Sequence, residues 1–372
     1  MKIKKLLIVP SDGLVQERSS SFFSYVLNQA RIFKRRFSSQ PMAYDAELQR
    51  YADIPRILGQ ENTFVFGALH PHLYSKTIPK FCPYPSCHAT PRGATVRERE
   101  IKSVVKEADA VLVSGRAGQR GDLVISEAKK NDLPVAILDA HDHQSNYGSE
   151  DIRQELCRGF KKGEHFDLYF KNDLPLGYKN DYILPLAPCP LRPEMYRFRD
   201  LAKETDFFFS GKTRVKDQDD GRELIELVKN QFGSARFLGH QWHDTFLSAQ
   251  EYWDNLSRSR IALSPSRFVW DSFRHCEAGL APKTVLVAPN PYIETVGPPL
   301  EGGANAILYD TELRDGKYHL KNASELEEKL RYYLDNSEKR ESMAEQWAGD
   351  VKSGHTIFER SKYIIESMEK AF

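Results

Sequence analysis

No stretch of the chain contains the roughly 20 consecutive apolar residues that a membrane-spanning helix needs. The sequence also lacks net charge of one sign, because 53 lysines and arginines nearly balance 52 aspartates and glutamates. Balanced charge argues against a large electrostatic surface for nucleic acid or for an anionic membrane. We therefore expect no nucleic-acid partner, no transmembrane segment, and membrane contact of a peripheral kind at most.

Cysteine is scarce, and the number of cysteines is odd, which fits a reducing compartment better than a disulfide framework. The N-terminal run MKIKKLLIVP is too short for the core of a signal peptide and is stopped by Pro10. We therefore expect a cytoplasmic protein. The five cysteines are Cys82, Cys87, Cys157, Cys189 and Cys276.

Two of the cysteines lie in a proline-rich segment whose cysteines and histidines resemble the ligands of a zinc site. Cys82 and Cys87 have a spacing that structural zinc sites use, and His88 follows directly, with His70 and His72 upstream. A second matched pair of ligands is missing, however, and five prolines lie between Pro71 and Pro91. We interpret the segment as an ordered loop and predict no metal.

Short apolar runs alternate with amphipathic stretches throughout the chain, which is typical of a parallel sheet covered by helices on both faces. At 372 residues, 40% of them hydrophobic, the chain can form two domains, each with its own core. We predict strands at 6–9, 63–66, 110–113, 135–138 and 168–170, with helices near 22–37, 96–107, 122–130 and 152–160. The same alternation restarts with strands at 207–209, 236–238, 261–263 and 284–287 and helices at 222–230, 249–258 and around Glu277.

A proline-rich segment, LPLAPCPLRPEMY, separates the two sets of elements. Its four prolines from Pro185 to Pro193 cannot continue a helix or a central strand. We place the domain boundary there, with an N-terminal Rossmann-like domain at 1–190 and a second one at 191–354. A final helix at 355–372 is expected to cross back to the first domain, after a helix that starts at the capping-box sequence Ser324 to Glu327.

The most informative segment runs from Arg260 to Asp310. It reads as a short strand, the polar turn Ser264-Pro265-Ser266, a helix that carries Glu277, and a second apolar strand. The turn would open a helix whose free N–H groups and positive dipole end suit a phosphate. A carboxylate farther along the helix can accept hydrogen bonds from ribose hydroxyls, so the unit outlines a nucleotide site.

This segment resembles the C-terminal half of GT-B glycosyltransferases, particularly the bacterial group 1 relatives. Glu277-Ala278-Gly279 matches the family's donor-binding helix, and 184–188, 207–212 and 326–368 resemble its interdomain crossover, first strand with basic turn, and closing helices. The resemblance covers about the last half of the chain. It implies an α/β fold of GT-B type, in which two doubly wound Rossmann-like domains face a central cleft.

The sequence departs from the family pattern at one position. Many retaining members carry a second glutamate eight residues before the first, and that position is Val269 here. This difference leaves open whether the reaction retains or inverts the anomeric configuration. No cofactor is expected beyond the nucleotide sugar itself, a UDP- or GDP-sugar, and the acceptor would be a hydroxyl of a glycan, a lipid-linked saccharide or a small molecule.

Candidate donor-site residues lie at the predicted carboxyl ends of the C-terminal strands. Glu277 is expected to hold the ribose, or alternatively to pair with Arg274 or face solvent. The loop that starts at Gly239 is expected near the base, although Trp242 could instead be a packing residue. The candidates for diphosphate and base are Gly211, Lys212, Arg214, Ser266, Arg267, His240 and Trp242, against the alternatives of a solvated loop and an ordinary helix cap.

Candidate acceptor-side residues follow strands of the first domain. His141, Asp142 and His143 come directly after the strand that ends at Leu138 and could bind the acceptor hydroxyl or take its proton. A polar loop or helix cap is the alternative, and metal ligation lacks a third partner. Asp12 and Gly13 follow the first strand, where Gly13 would allow close approach of a phosphate or acceptor.

Two other functions remain open at this point. Sugar-nucleotide epimerases share the two-domain form and would act on the donor without an acceptor. A non-catalytic glycosyltransferase-like protein would bind or scaffold only, and sugar transfer to DNA bases is a narrower variant that the balanced charge disfavours. The sequence does not identify the base, the sugar, the acceptor or the oligomeric state.

Overall fold

A computed structural model describes residues 1–12, 15, 47–78, 80, 82, 85–140, 157, 160–211, 220–239, 247–266, 270–315 and 317–372. Two parallel sheets organise this part of the chain. The predicted helix at 22–37 lies outside the described residues, and that at 152–160 lies largely outside them. Among the described helices, none is both long and apolar enough to cross a membrane.

The first sheet has seven parallel strands in the order β3-β2-β1-β4-β5-β6-β7. Its alternating side chains are buried on both faces, because Leu6 and Ile8 join one apolar cluster whereas Leu7 and Val9 join another. Such two-sided burial explains the near-continuous apolar runs in the sequence. The strands are β1 (Leu6–Val9), β2 (Thr63–Phe66), β3 (Ala94–Val96), β4 (Ala110–Ser114), β5 (Val135–Asp139), β6 (Leu168–Lys171) and β7 (Ile183–Pro185).

Helices accompany the first sheet: α1 (Leu48–Tyr51), α2 (Ile54–Leu58), α3 (Ile101–Glu107) and α4 (Gly118–Lys130). The prediction that a helix starts near Val96 was wrong. Val96 ends strand β3, where it is buried and paired with Phe66. A short 3₁₀ turn at Glu98–Glu100 then precedes α3, and the Glu100 carboxylate accepts a hydrogen bond from the Arg97 backbone N–H.

The second sheet has five parallel strands in the order β12-β11-β10-β8-β9, and a two-stranded hairpin follows it. Phe207 and Phe209 pack on one face and Phe208 on the other. The strands are β8 (Thr205–Gly211), β9 (Ala235–Gly239), β10 (Ser259–Leu263), β11 (Val285–Pro289), β12 (Ile307–Tyr309), β13 (Thr311–Arg314) and β14 (Lys317–Leu320). The helices are α5 (Asp220–Gln231), α6 (Ala249–Ser257), α7 (Phe273–Leu280), α8 (Ala323–Asp335), α9 (Ser337–Gly354) and α10 (Ile357–Ala371).

The last helix, α10, returns to the N-terminal half. It packs against α1 and α2, and its Ile364 and Met368 are fully buried in the same cluster as Leu6. The segment between the sheets contains a cis peptide bond at Ala187-Pro188. Loops at the carboxyl ends of β6 and β11 also meet, because Glu294 N–H donates to the Leu174 carbonyl at 2.7 Å. The carboxyl edges of the two sheets therefore face each other across the junction.

Candidate donor-binding site

The carboxyl ends of β8, β10, β11 and β12 lie at one edge of the second sheet, because all of these strands are parallel. This is the edge at which open α/β sheets bind ligands. Immediately after β10 comes the turn Ser264–Ser266, and both serines are buried. Neither serine hydroxyl has a hydrogen-bond partner among the described residues. Two such hydroxyls are suitable donors for an anionic oxygen.

A buried carboxylate, that of Asp220 at the start of α5, supports this turn. Its Oδ2 accepts hydrogen bonds from the Ser266 backbone N–H at 3.2 Å and from the Tyr309 hydroxyl at 2.8 Å. Burial raises the pKa of Asp220 to about 6, although these hydrogen bonds oppose the shift. The sequence did not point to Asp220, because its partners come from β12 and from the turn after β10.

The raised pKa of Asp220 predicts a pH-dependent stability difference. The Asp220 carboxyl group loses its proton near pH 3.8 in the unfolded chain but only near pH 6 in the folded protein. The stabilisation that depends on this pKa difference is therefore complete below pH 3.8 and is lost as the pH rises through 6. Asn cannot ionise but can still accept the same hydrogen bonds. Asp220→Asn should therefore gain about 2 to 3 kcal/mol relative to the wild type between pH 4 and pH 8. Urea unfolding at both pH values measures the gain, and equal differences at the two pH values would refute the assignment.

Glu277 lies on α7 and is only 5% exposed. Its Oε2 accepts a hydrogen bond from the Tyr252 hydroxyl at 2.8 Å, and Tyr196 provides a second hydrogen bond. Burial raises the pKa of Glu277, while the tyrosine hydrogen bonds and the charge of Arg274 lower it. The carboxyl group therefore does not face open solvent. A ribose would have to share it with Tyr252 and Tyr196.

Arg274 stands one helical turn before Glu277 and reaches over the end of β8. Its Nε donates to the Ser210 carbonyl at 2.9 Å, and the guanidinium lies 5.4 Å from the centre of the Phe209 ring. A side chain at Gly211 would collide with this guanidinium, so glycine is required for the close approach. In the sequence, Arg274 stands out only as an alternative partner of Glu277. Its position three residues before Glu277, on the same helix face, was the signal for a donor-side role.

Nine of the proposed site residues lie outside the described residues, so the structure does not place them. Of the others, Gly211, Ser266 and Glu277 lie at the carboxyl edge of the second sheet, and Asp12 lies at that of the first. The residues outside the described part are Gly13, His141, Asp142, His143, Lys212, Arg214, His240, Trp242 and Arg267.

Asp12 is exposed and forms a salt bridge with Arg120, whose Nη2 lies 2.6 Å from its Oδ1. The carboxylate is thus already paired with a cation at the mouth of the first sheet. Just before the predicted catalytic segment, Asp139 ends β5 and accepts hydrogen bonds from the Tyr169 hydroxyl at 2.9 Å and from Lys171 at 3.2 Å. These buried hydrogen bonds hold Asp139, the last residue of β5, in place.

The proline-rich segment with Cys82 shows a limited cysteine–histidine contact. The Cys82 sulfur lies 3.5 Å from Nε2 of His88, whereas Cys87 contacts Gln49. Within the described ranges, no three His, Cys, Asp or Glu side chains are grouped so that they could hold a metal ion. All five cysteines are buried free thiols.

One part of the chain matches the model of a known protein family. Residues 214–366 match the model of a family described as "Glycosyl transferase-like". The C-terminal part of the chain is thus similar to glycosyltransferases. No curated protein matches its sequence. The match begins just after β8 and includes the turn, Arg274 and Glu277, so the family model and the carboxyl-edge site coincide.

Solved structures of HepE from Anabaena share the fold of this chain. The HepE complex with UDP has a TM-score of 0.52 at 11% identity and covers 98% of this chain and 100% of that chain. The complex with UDP-glucose has a TM-score of 0.50 at 12% identity and covers 98% and 99%. The complex with UDP and glucose has the same score and identity and covers 99% and 100%. The likeness thus spans both halves and confirms the two-domain prediction for the fold class.

Proposed function

We propose that the enzyme transfers a sugar from a UDP-sugar to an acceptor hydroxyl, with the donor bound at the carboxyl edge of the second sheet. One observation carries the proposal: Arg274 and the Ser264–Ser266 turn converge there, with Glu277 one helical turn farther on. A cation and buried hydroxyl groups are suitable partners for a diphosphate. HepE, of the same fold, is known in complex with UDP and with UDP-glucose.

Each donor-side residue has a proposed role. Glu277 accepts the ribose hydroxyls, and Arg274 neutralises the diphosphate together with the side chains and backbone that follow β8 and β10. The loop after β9 contacts the base through the backbone of His240 and by stacking of Trp242. The further diphosphate contacts are Gly211, Lys212, Arg214, Ser266 and Arg267.

The main electrostatic task is to stabilise charge on the leaving diphosphate. Arg274, Lys212 and Arg214 can supply positive charge at this edge, so we propose that the reaction needs no metal ion. Activity should therefore persist in excess EDTA. A loss that Mg²⁺ or Mn²⁺ restores would show that the diphosphate requires a cation the protein does not provide.

The acceptor is proposed to bind at the edge of the first sheet. Asp142, His141 and His143 would hold its hydroxyl or remove its proton, with Asp12 and Gly13 at the neighbouring strand end. Whether the product retains or inverts the anomeric configuration follows from NMR analysis of the product. The buried free thiols are compatible with work in a reducing cytoplasm.

Donor binding tests the proposal directly. UDP at 100 times its dissociation constant should stabilise the fold by about 2.7 kcal/mol, which a thermal-shift assay detects. The assay should compare UDP, GDP, CDP, ADP and TDP with their sugars. Indifference to every nucleotide would refute the proposal. Incubation with the preferred sugar nucleotide alone should leave the sugar unchanged, since a changed sugar nucleotide would indicate an epimerase instead.

A further inference from the structure

A buried arginine from the N-terminal half contacts the start of the donor helix. Arg50 lies on α1 and is only 2% exposed. Its Nη2 lies 2.8 Å from Oδ2 of Asp271 and 2.6 Å from Oδ1 of Asn172, and its Nη1 contacts the Cys189 sulfur. One guanidinium therefore joins a helix and a strand end of the first half, the interdomain segment and the second half.

Asp271 connects Arg50 to the start of α7. It directly precedes Ser272, whose side chain caps α7 by accepting a hydrogen bond from the Arg274 N–H. The other carboxylate oxygen of Asp271 accepts the Cys189 N–H at 2.8 Å. Any shift of Asp271 would therefore move the first turn of the helix that carries Arg274 and Glu277.

A second buried arginine makes Asp271 a shared counter-ion. Arg360 on α10 is 1% exposed, and burial together with Arg50 lowers its pKa to about 10, whereas Asp271 acts in the opposite direction. Removing Asp271 would leave the Arg50 and Arg360 guanidinium groups buried without the carboxylate whose charge offsets both. Removing Arg50 would leave Asp271 with Arg360 as its remaining cation.

We propose that Arg50 is a positioning residue for the donor: its ion pair with Asp271 holds the first turn of α7, and hence Arg274, in the geometry that binds the diphosphate. The inference rests on the proposed donor site. It assigns to the N-terminal half a role in donor binding, in addition to its role toward the acceptor. Since Arg50 lies in the interior behind α7, it acts through Asp271 and not on the donor itself.

The test compares Arg50→Met with Arg192→Met. Arg192 is also buried in the interdomain segment, and its Nη2 lies 2.7 Å from Oδ1 of Asp53. Its link to α7 is indirect: Arg192 Nε donates to the Ser86 carbonyl, the Ser86 hydroxyl donates to the Tyr196 hydroxyl, and Tyr196 hydrogen-bonds Glu277. The two variants thus remove matched buried ion pairs, but only the Arg50 pair involves the residue that directly precedes the cap of α7. Arg50→Lys, which keeps the charge but not the planar fork, serves as a milder variant if the Met variant folds poorly.

Two readouts separate positioning from general damage. By calorimetry, Arg50→Met should weaken UDP binding about tenfold or more, and Arg192→Met by less than about threefold, if the loss of one ion pair acts locally. In steady-state assays, Arg50→Met should raise the KM for the donor more than it lowers kcat. Equal effects of the two variants on UDP affinity would overturn the inference while leaving the proposed function intact.

Hydrogen exchange of the backbone amides tests the inference without any nucleotide. Amides of α7 should exchange faster in Arg50→Met or Arg50→Lys than in Arg192→Met, whereas those of β10 should be unchanged. Unaltered protection of α7 would contradict the positioning role. If the wild type bound no nucleotide, the proposed function would fail, and faster exchange would then show only that the ion pair orders the helix.

Discussion

Arg274→Met should lower kcat/KM for the sugar donor roughly 100-fold to 1,000-fold, which is the usual effect of removing one preorganised group at a developing anion. The guanidinium is held by the Ser210 carbonyl and by the face of Phe209, so it is fixed before the donor arrives. It therefore need not be reorganised as charge develops on the leaving diphosphate. Steady-state kinetics with the preferred sugar nucleotide measures the loss.

Two controls restrict the interpretation of the Arg274 variant. Arg274→Lys keeps a positive charge but loses the planar fork, so it should recover part of the rate. Arg199→Met removes an exposed arginine whose pair with Asp254 is screened by solvent, so activity should stay within twofold. A rate for Arg274→Met within threefold of the wild type would exclude Arg274 from the diphosphate site.

The strands and the resemblance to glycosyltransferases could be found from the sequence because both depend on local pattern. Apolar runs such as Leu6–Val9 are buried on both sides, and their spacing reveals a parallel sheet without any knowledge of long-range contacts. Only the six residues 267–272 separate the turn after β10 from the helix with Glu277 in the chain. Their order was therefore visible, and the family match over 214–366 agrees with it.

The supporting contacts could not be predicted in this way, since they join distant parts of the chain. Arg50 and Asp271 are 221 residues apart, and Asp220 and Tyr309 are 89 residues apart. No periodicity connects such pairs. The error at Val96 has a different cause, because a short strand and a 3₁₀ turn were merged with the helix pattern that follows them.

Helix α7, which carries the proposed donor residues, has only eight residues but is held from several directions. Gly279 packs so closely against Trp347 and Val351 of α9 that a side chain there would collide with both. The Trp347 indole also donates to the His275 carbonyl at 2.7 Å. A site whose supporting residues are fixed by packing and hydrogen bonds binds without paying for reorganisation.

Glu277→Gln should weaken donor binding about 10-fold to 100-fold, because a hydrogen bond to a charged group contributes about 1.5 to 3 kcal/mol. The ionised carboxyl group accepts ribose hydroxyls best, so wild-type affinity should fall as the pH drops through the pKa of Glu277. Burial raises that pKa, and the fall should begin at a higher pH than for an exposed glutamate. Calorimetry with UDP across the pH range measures it, and Glu277→Gln should lack this dependence.

Tyr252→Phe distinguishes a ribose ligand from a purely structural carboxylate. The Tyr252 hydroxyl donates to Glu277 and lowers its pKa, so its removal should move the acid limb of UDP affinity to higher pH. The Glu277→Gln/Tyr252→Phe double variant should show no such limb, because the titrating group is gone. If Tyr252→Phe shifted stability but left the pH profile of UDP binding unchanged, Glu277 would be a buried structural group and the ribose would be held elsewhere.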